Sequence, residues 1–256
     1  NINDDVSLDI TNQVTVSAWV YPKRFHENHT IILAKGANYR LKFRAQHQAT
    51  HEVSNVSDDH DIRFSTTVDG TRYVIAFGNL NNYLNGWHNI TGTYDGNTMR
   101  LYWDGEEKAS YSVSGSMTSD NSPLQMGVPL YGGDYLLGSI DEVRIWNVAR
   151  TSTEIQANMN KTLTGSESGL VAYYKMNDGS GTSLADSSSN SNTGTLKNMT
   201  NAAWVDGKVS FSGSSFFNIT NVSGHTEEDG TTSTFKVALD ATPAPPAPSN
   251  PSVSGS

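Results

Sequence analysis

The 256-residue sequence predicts an all-β protein, an antiparallel sandwich or jelly roll with one short helix. Three observations predict it: dense turn dipeptides, period-two alternation between them, and helix signals confined to one place. Asn-Gly and Asp-Gly pairs supply the positive φ angles that tight turns need. Strands recur roughly every 8–12 residues, a spacing typical of sandwiches. The Asp-Gly pairs begin at positions 69, 95, 104, 178, 206 and 229, and Asn85-Gly86 adds an Asn-Gly pair.

Four segments carry the clearest strand signal. In VTVSAWVY (residues 14–21), apolar residues occupy alternate positions and therefore share one face of a strand. NITGTY (89–94), MRLYW (99–103) and GLVAYYKM (169–176) alternate in a similar way. These segments are expected to form the two sheets.

The helix signal lies at Thr151-Ser152-Thr153-Glu154, a capping box followed by IQANMNK. In a capping box the Thr side chain and the Glu side chain bond each other's backbone N–H groups at the start of a helix. One short helix is therefore expected after residue 151.

Composition excludes several functional classes. The chain has 26 Asp and Glu against 17 Lys and Arg, a net charge of −9, so we expect neither a nucleic-acid partner nor an anionic-membrane partner. With no stretch of 18 apolar residues, no membrane insertion is expected. The absence of Cys excludes disulfides, thiolate zinc sites and cysteine nucleophiles.

Composition also predicts three regions. Residues 1–219 form the main domain, residues 220–239 are a closing strand or the start of a following β module, and residues 240–256 are a Pro/Ser-rich linker. The sequence begins with neither an initiator Met nor a signal peptide. We therefore expect a segment of a longer polypeptide.

The segment IDEVRIW (140–146) contains an unusual carboxylate. Strict alternation places Asp141 on an apolar face with Val143 and Ile145, while Glu142 and Arg144 pair on the other face. A buried carboxylate is normally paired or metal-bound, and calcium accepts carboxylate and carbonyl oxygens. The alternative is that backbone N–H groups cap Asp141.

Three segments in order carry a family resemblance: TVSAWVYP, then GWHNITGTYDGNTMRLYWDGE, then GSIDEVRIWNVARTSTEIQANMN. The sequence resembles the LamG-like jelly-roll family of the concanavalin A-like lectin/glucanase superfamily over approximately residues 1–210. The resemblance implies a two-sheet antiparallel sandwich with a concave face. It also implies a structural calcium whose side-chain ligand aligns with Asp141. The stretch from Ser168 to Gly213 is similar to segments that flank this module in large secreted bacterial proteins.

The chain departs from the family at one strand. Family members begin with a Phe-Asp-Gly strand whose carbonyl oxygens complete the calcium site, and this chain begins after that position. Phe211-Ser212-Gly213, followed by SSFFNI, resembles the missing strand with Ser in place of Asp. We hypothesise that this later strand fills the vacant place, as in a circular permutation, with carbonyl ligands near Gly213.

Catalytic patterns are weak. The Glu-x-Asp-x-x-Glu pattern of glycosidases in this superfamily is absent from the sequence, and adjacent carboxylates on a strand point to opposite faces. Five histidines lie between His26 and His60 in polar, loop-like sequence (His26, His29, His47, His51 and His60). The His47–His60 loop, acting with Arg40 or Tyr39, leaves open a polysaccharide lyase or glycoside hydrolase. No catalytic residue is assigned.

Two groups of residues are candidates for binding a sugar. Tyr131 and Tyr135 lie in the Gly-rich loop LYGGDY, where rings are hard to bury; a sugar's C–H face stacks on such rings while Asp134 accepts its hydroxyls. Arg40 alternates with Lys42 and Arg44, a row that is either solvated or able to grip an acidic sugar. The tryptophans in strand motifs are instead expected in the core: Trp19, Trp87, Trp103 and Trp146.

The sequence therefore predicts a non-catalytic, lectin-like carbohydrate-binding module with structural calcium. We expect it to belong to a larger secreted or cell-surface bacterial adhesin or polysaccharide-degrading protein. Its partners would be a poly- or oligosaccharide and the neighbouring modules of the parent chain. The alternatives are a structural spacer or adhesion repeat without a small ligand, and the enzyme described above.

Overall fold

The computed structural model describes residues 1–25, 30–44, 52–53, 60–128, 135–178, 180–197, 204–205 and 216–219. Over these ranges the chain forms sixteen strands, two 3-10 helices (Val6–Leu8 and Leu80–Tyr83) and one α-helix, α1 (Ser152–Met159). The strands are β1 (Val14–Arg24), β2 (Thr30–Lys35), β3 (Tyr39–Arg44), β4 (Glu52–Val53), β5 (Asp61–Val68), β6 (Thr71–Gly78), β7 (His88–Tyr94), β8 (Thr98–Trp103), β9 (Glu106–Ser112), β10 (Leu124–Met126), β11 (Leu137–Trp146), β12 (Leu170–Tyr174), β13 (Ser183–Leu184), β14 (Gly194–Thr195), β15 (Trp204–Val205) and β16 (Phe216–Ile219).

The strands form two large sheets. The larger sheet has the order β15-β16-β11-β1-β7-β8-β9, and β12 also pairs with β11. The smaller sheet has the order β10-β2-β3-β5-β6-β4, and β13 pairs with β14 in a short ribbon. Described pairs are antiparallel except β4 with β6. The predicted two-sheet antiparallel sandwich with one helix is confirmed.

The hydrophobic core lies between the two sheets. Alternate residues of each strand point inward, as with Val16 of β1, Leu41 of β3 and Phe64 of β5, all fully buried. The sheets approach closely at Gly92, where an added Cβ would lie 2.4 Å from the Phe64 ring. Any larger residue at Gly92 would push that ring out of the core.

Two Asp-Gly pairs form the tight hairpins that the sequence predicts. Asp69-Gly70 joins β5 to β6 and Asp104-Gly105 joins β8 to β9, and all four residues have positive φ angles between 46° and 79°. Asn85 also has a positive φ of 59°. It lies between a 3-10 helix and β7 rather than in a two-residue hairpin.

Helix α1 begins at the predicted capping box, with Thr151 and Glu154 bonding each other's backbone N–H groups. It packs on the outer face of the larger sheet. There the Trp19 indole N–H donates to the Met159 carbonyl at 2.8 Å, and Arg144 donates to the Asn158 carbonyl at 2.9 Å. Within the described residues, no helix has the length and apolar character needed to cross a membrane.

The segment after α1 is an integral part of the sandwich. Strand β12 pairs with β11, and the backbones of Asn1 and Thr195 exchange hydrogen bonds. The segment also contributes apolar side chains to the core, namely Val171, Ala172, Tyr174, Met176 and Leu184. Its packing therefore closes the fold around the N-terminus.

Tyr174→Ala tests this integration. Tyr174 is fully buried and donates to the Asn192 carbonyl at 2.7 Å, so removing its ring should lower the free energy of unfolding by about 3–5 kcal/mol. Tyr174→Phe keeps the ring and should cost about 1 kcal/mol. Urea denaturation measures both. A Tyr174→Ala protein as stable as the parent would show that this segment is peripheral.

Candidate functional site

Strand β11 contains a bulge at the predicted calcium ligand. Ser17 of β1 lies opposite Arg144, and Trp19 lies opposite Asp141. One residue of β1 therefore faces two residues of β11, and Glu142 has a φ of 50°. An extra residue in one strand is the definition of a β-bulge, a feature common next to functional sites.

The bulge changes the face on which Asp141 lies. Cross-strand partners share a face, so Asp141 lies on the outer face with Trp19, whereas Val143 and Ile145 point into the core. The expectation that Asp141 shares the face of Val143 and Ile145 is wrong, because that expectation assumed unbroken alternation. Asp141 is nevertheless buried, with no exposed surface.

The Asp141 carboxylate is only half satisfied. Its Oδ1 accepts the Glu142 backbone N–H at 2.8 Å, and its Oδ2 is buried without a hydrogen-bond partner. Burial, followed by the charge of Glu142, raises the pKa of Asp141 to about 8. The sequence left open whether a metal ion or backbone N–H groups satisfy Asp141. A backbone N–H binds Oδ1, and Oδ2 remains available to a metal ion.

The neighbouring cation is already engaged. Arg144 Nη2 lies 2.5 Å from Glu142 Oε2, which also accepts the Tyr173 hydroxyl at 2.6 Å. Burial, together with the charge and hydrogen bond of Glu142, raises the pKa of Tyr173. The predicted pairing of Glu142 with Arg144 is confirmed. Because Arg144 is bound to Glu142, Asp141 keeps a buried charge whenever it ionises.

The edge of β11 changes partner beside Asp141. Strand β16 pairs with Gly138, Ser139 and Ile140, with Phe217 opposite Ile140, and β12 pairs from Val143 onward. Part of the later strand thus lies next to Asp141, as the permutation hypothesis requires. Gly213 itself lies outside the described residues.

The donor set fits a cation at Asp141 in one respect. Calcium takes carboxylate oxygens as ligands, and Asp141 Oδ2 has no hydrogen-bond partner that a cation would have to displace. The described residues hold no group of three or more His, Cys, Asp or Glu that could bind a metal ion. Further ligands would therefore be backbone carbonyl oxygens or groups outside the described ranges.

The structure places few of the other predicted site residues together. Tyr131 and Asp134 lie outside the described residues, and Tyr135 is half-buried just before β11. His60 lies 3.1 Å from the Asn81 side chain through Nδ1, with its ring stacked on Phe25. The other histidines of the candidate loop lie outside the described ranges: His26, His29, His47 and His51.

Tyr39 does not fit the catalytic alternative. It is fully buried in the core, its hydroxyl donates to the Leu8 carbonyl at 3.1 Å, and burial raises its pKa well above the usual value. Arg40, the other residue that the catalytic alternative named, points to the opposite face of the same strand.

Arg40 belongs to a group of cations on the outer face of the smaller sheet, which we call the basic face. Lys42 lies directly opposite Arg63 in the register of β3 and β5, and Arg72 continues the group on β6. Sequence reasoning missed Arg63 and Arg72, because only strand register brings them beside β3. The basic face consists of Arg40, Lys42, Arg44, Arg63 and Arg72.

Burial and charge act together on the basic face. Lys42 is 5% exposed and Arg63 is fully buried, whereas Arg44 is half-buried and Arg72 is exposed. Burial, followed by the positive charge of the neighbouring arginines, lowers the pKa of Lys42 to about 7. Burial and the neighbouring arginines therefore make the protonated form of Lys42 less favourable than it is in water.

The tryptophans divide into two groups. Trp19, Trp103 and Trp146 are buried as predicted. Trp87 is half-buried, with its ring 5.6 Å from that of Tyr21 in an edge-to-face contact. The expectation of a core position for Trp87 is wrong, because it lies where β7 begins rather than within the strand.

The first 156 residues of the chain match a known protein family. A laminin G family model of the concanavalin A-like lectin/glucanases superfamily matches residues 1–156. The chain belongs to this superfamily. The resemblance drawn from the sequence is therefore confirmed, and the sandwich is the jelly roll of that superfamily.

Two curated relatives and two solved structures illustrate the relationship. Pappalysin-1 from Mus musculus is 26% identical over 154 residues, and pappalysin-1 from Homo sapiens is 28% identical over 155 residues. Each match covers 57% of this chain and 9% of pappalysin-1, so the chain spans about a tenth of these relatives.

The first structure is a Bacteroides ovatus protein thought to bind carbohydrate, with a TM-score of 0.57 and 21% identity over 77% of this chain and 57% of that chain. The second is domain 4 of AbnA, an extracellular arabinanase from Geobacillus stearothermophilus, in complex with arabinotriose. It has a TM-score of 0.43 and 20% identity over 60% of this chain and 69% of that chain. At these identities, the first likeness shows the fold alone.

The pKa of Asp141 predicts a pH dependence of the metal-free protein. Between the ordinary carboxyl value of 3.8 and about 8, the native state holds a proton that the unfolded state has lost. The free energy of unfolding should therefore fall with rising pH, by at most about 1.4 kcal/mol per pH unit from this group. Asp141→Asn removes this contribution.

The measurement is urea denaturation of both proteins at pH 5, 6, 7 and 8 with chelator present. The difference in unfolding free energy between Asp141→Asn and the parent should grow with pH. A constant difference across this range would contradict the assignment of a buried, proton-binding carboxyl to Asp141.

Proposed function

We propose that the chain is a non-catalytic, calcium-stabilised carbohydrate-binding module. The observation that carries the binding role is the outer face of the smaller sheet, which is dense in side chains that form hydrogen bonds. Saccharide hydroxyls need such convergent polar groups for orientation and specificity. The polar members of this face are the basic face together with Asp61, Ser65 and Thr67. Arg72 is exposed and Arg44 is half-buried, and the others are buried.

The same face argues against hydrolysis. Glycoside hydrolysis uses two carboxylates flanking the scissile bond, and retaining enzymes hold them about 5–5.5 Å apart. Among the described side chains, Asp61 is the carboxylate on this face, and Arg63 binds it through two hydrogen bonds of 2.7 Å. A single, neutralised carboxylate supports binding rather than acid–base chemistry.

One solved structure with the same fold is consistent with this proposal. The Bacteroides ovatus protein thought to bind carbohydrate shares the fold at a TM-score of 0.57. Because functions differ widely within one fold, the proposal rests on the polar face. We extend it to Tyr135, with Tyr131 and Asp134 of the same loop, as a second surface where a ring could stack on a sugar.

We also propose a structural calcium with Asp141 as its side-chain ligand and carbonyl oxygens near Gly213 among its other ligands. The support is the buried Asp141 Oδ2, which has no hydrogen-bond partner, beside the point where β16 gives way to β12. A bound calcium would supply the positive charge that Arg144 does not. The β11 residues position the carboxylate for it.

The proposed setting is a larger secreted or cell-surface bacterial protein, an adhesin or a polysaccharide-degrading protein. In that setting, neighbouring modules of the parent chain would be its covalent partners. The spacer alternative shares this setting and differs in lacking a saccharide ligand.

Thermal melts test the calcium proposal. Calcium at one hundred times its dissociation constant adds about 2.7 kcal/mol to the free energy of unfolding. The Tm should therefore rise by about 5–10 °C over the chelated protein. Asp141→Asn should lose this rise.

The matched control is Glu106→Gln, which removes a carboxylate that is 75% exposed and should keep the full rise. If calcium stabilised Asp141→Asn and the parent protein equally, the ion would bind elsewhere. If it stabilised neither protein, the calcium proposal would be wrong.

A glycan array spanning neutral and acidic oligosaccharides tests the binding role. The chain should bind at least one class of saccharide without releasing reducing ends or unsaturated products. A chain that binds nothing across the array would favour the spacer. Product release that His51→Ala abolishes would instead favour the enzyme.

A further inference from the structure

We propose that the turn at Asn85-Gly86 is a site of spontaneous covalent modification, at which the Asn85 side chain is converted to aspartate and isoaspartate with His88 as the base. The reaction needs neither a saccharide nor a calcium ion, so it goes beyond the proposed function. Asn85-Gly86 is the only Asn-Gly pair in the 256-residue sequence.

The Asn85 side chain lies on an exposed turn. Asn85 follows the second 3-10 helix and precedes β7, and it is exposed to solvent. Its φ of 59° lies in the left-handed region, which Asn adopts more readily than most residues. Its backbone N–H donates to the Pro22 carbonyl at 2.8 Å. Solvent water therefore reaches the side-chain amide of Asn85.

Gly86 supplies the nucleophile, which is its backbone nitrogen. Attack of this nitrogen on Asn85 Cγ closes a five-membered ring, and an intramolecular nucleophile held close to its target reacts far faster than a separate one. Because glycine has no Cβ, neither side-chain bulk nor a restricted range of φ and ψ opposes this approach.

The His88 ring is aimed at Gly86. A Cβ built on Gly86 would lie 3.1 Å from His88 Nε2 and 3.8 Å from both Cδ2 and Cε1. Because the two carbon atoms are equally distant and Nε2 is nearer, the ring meets Gly86 end-on. An unprotonated Nε2 carries its lone pair in this direction, beside the Gly86 amide.

Asp104 fixes the ring in the form that accepts a proton. His88 Nδ1 lies 2.8 Å from Asp104 Oδ2, and Asp104 Oδ1 accepts the Asn89 backbone N–H at 2.8 Å. A carboxylate only accepts hydrogen bonds, so the proton of the neutral ring is on Nδ1 and Nε2 keeps its lone pair. The rings of Trp103 and Tyr83, with centroids 4.7 and 5.4 Å from that of His88, pack against the imidazole. A carboxylate behind an imidazole is an arrangement suited to a general base.

The reaction has two steps, and neither is an oxidation or a reduction. In the first, His88 Nε2 accepts the Gly86 amide proton while the amide nitrogen forms a bond with Asn85 Cγ. The bond from Cγ to the side-chain nitrogen then breaks, and ammonia leaves with the proton from His88. In the second step, water adds to either carbonyl of the cyclic imide and one C–N bond breaks. The products are aspartate and isoaspartate at position 85.

Asn79 provides an internal comparison. It is also exposed, and its φ of 65° is close to that of Asn85. The residue after it is Leu80, which is fully buried and whose backbone N–H donates to the His60 carbonyl at 3.1 Å. The nitrogen that would attack is therefore crowded and engaged. Exposure and conformation are shared by the two asparagines, and the following glycine distinguishes Asn85.

The test is incubation of the whole chain near neutral pH, followed by proteolysis and tandem mass spectrometry. In the parent protein, the side chain of Asn85 should exchange its NH2 group for OH over time, and Asn79 should stay unchanged. Ion-exchange chromatography should separate a form with one more negative charge.

Two variants test the base. His88→Gln removes the imidazole, and His88→Phe removes both ring nitrogens but keeps a ring against Trp103 and Tyr83. Each should slow the conversion of Asn85 by about tenfold or more, because a positioned general base contributes at least that much. The ring of His88→Phe preserves the packing, so this variant tests the base if His88→Gln does not fold.

A matched pair of variants tests Asp104. Asp104→Gly removes the carboxylate behind His88 and keeps a residue that tolerates the φ of 51°. It should slow the conversion of Asn85 by about tenfold or more, because the tautomer is no longer fixed. Asp69→Gly makes the same change in the hairpin between β5 and β6, where Asp69 has a φ of 46° and accepts the Ser116 backbone N–H at 3.1 Å. It should leave the rate unchanged.

Three outcomes would overturn parts of the proposal. Absence of product at Asn85 in the parent protein overturns the modification site. Equal rates in the parent, His88→Gln and His88→Phe overturn the role of His88. Equal slowing by Asp69→Gly and Asp104→Gly overturns the role of Asp104, since the effect would then come from a weakened hairpin. Each of these outcomes leaves the saccharide and calcium proposals unchanged.

Discussion

The burial of β11 on both faces and both edges is the constraint on which the rest of the structure depends. One edge pairs with β1 and the other with β12 and β16. Its inner face enters the core through Ile140 and Val143, and its outer face lies beneath α1 and the segment that follows. Because backbone groups in such a strand must be paired within the protein, the chain brings distant segments to β11. That requirement explains why residues after α1 are needed to close a sandwich whose family match ends at residue 156.

The same burial explains the contrast between two adjacent carboxylates. Glu142 accepts bonds from Arg144 and Tyr173, so its charge is balanced where it lies. Asp141 receives one backbone N–H and keeps one oxygen without a partner. Mutating one member of a balanced network normally leaves a buried charge behind. The bulge holds these two side chains in different environments, and it is the local feature that makes Asp141 a candidate ligand while Glu142 remains structural.

Local patterns in the sequence predicted the sheets, the helix cap and the Glu142–Arg144 pair, because each depends on neighbours along the chain. The missed features depend on register or on a break in regularity. The bulge at Glu142 reversed the face of Asp141, and the cross-strand position of Arg63 against Lys42 appears only when β3 is paired with β5. Trp87 showed a further limit, since a motif near a strand end does not reveal which residue begins the strand. Alternation assigns faces correctly as long as no residue is inserted, and functional sites are where insertions concentrate.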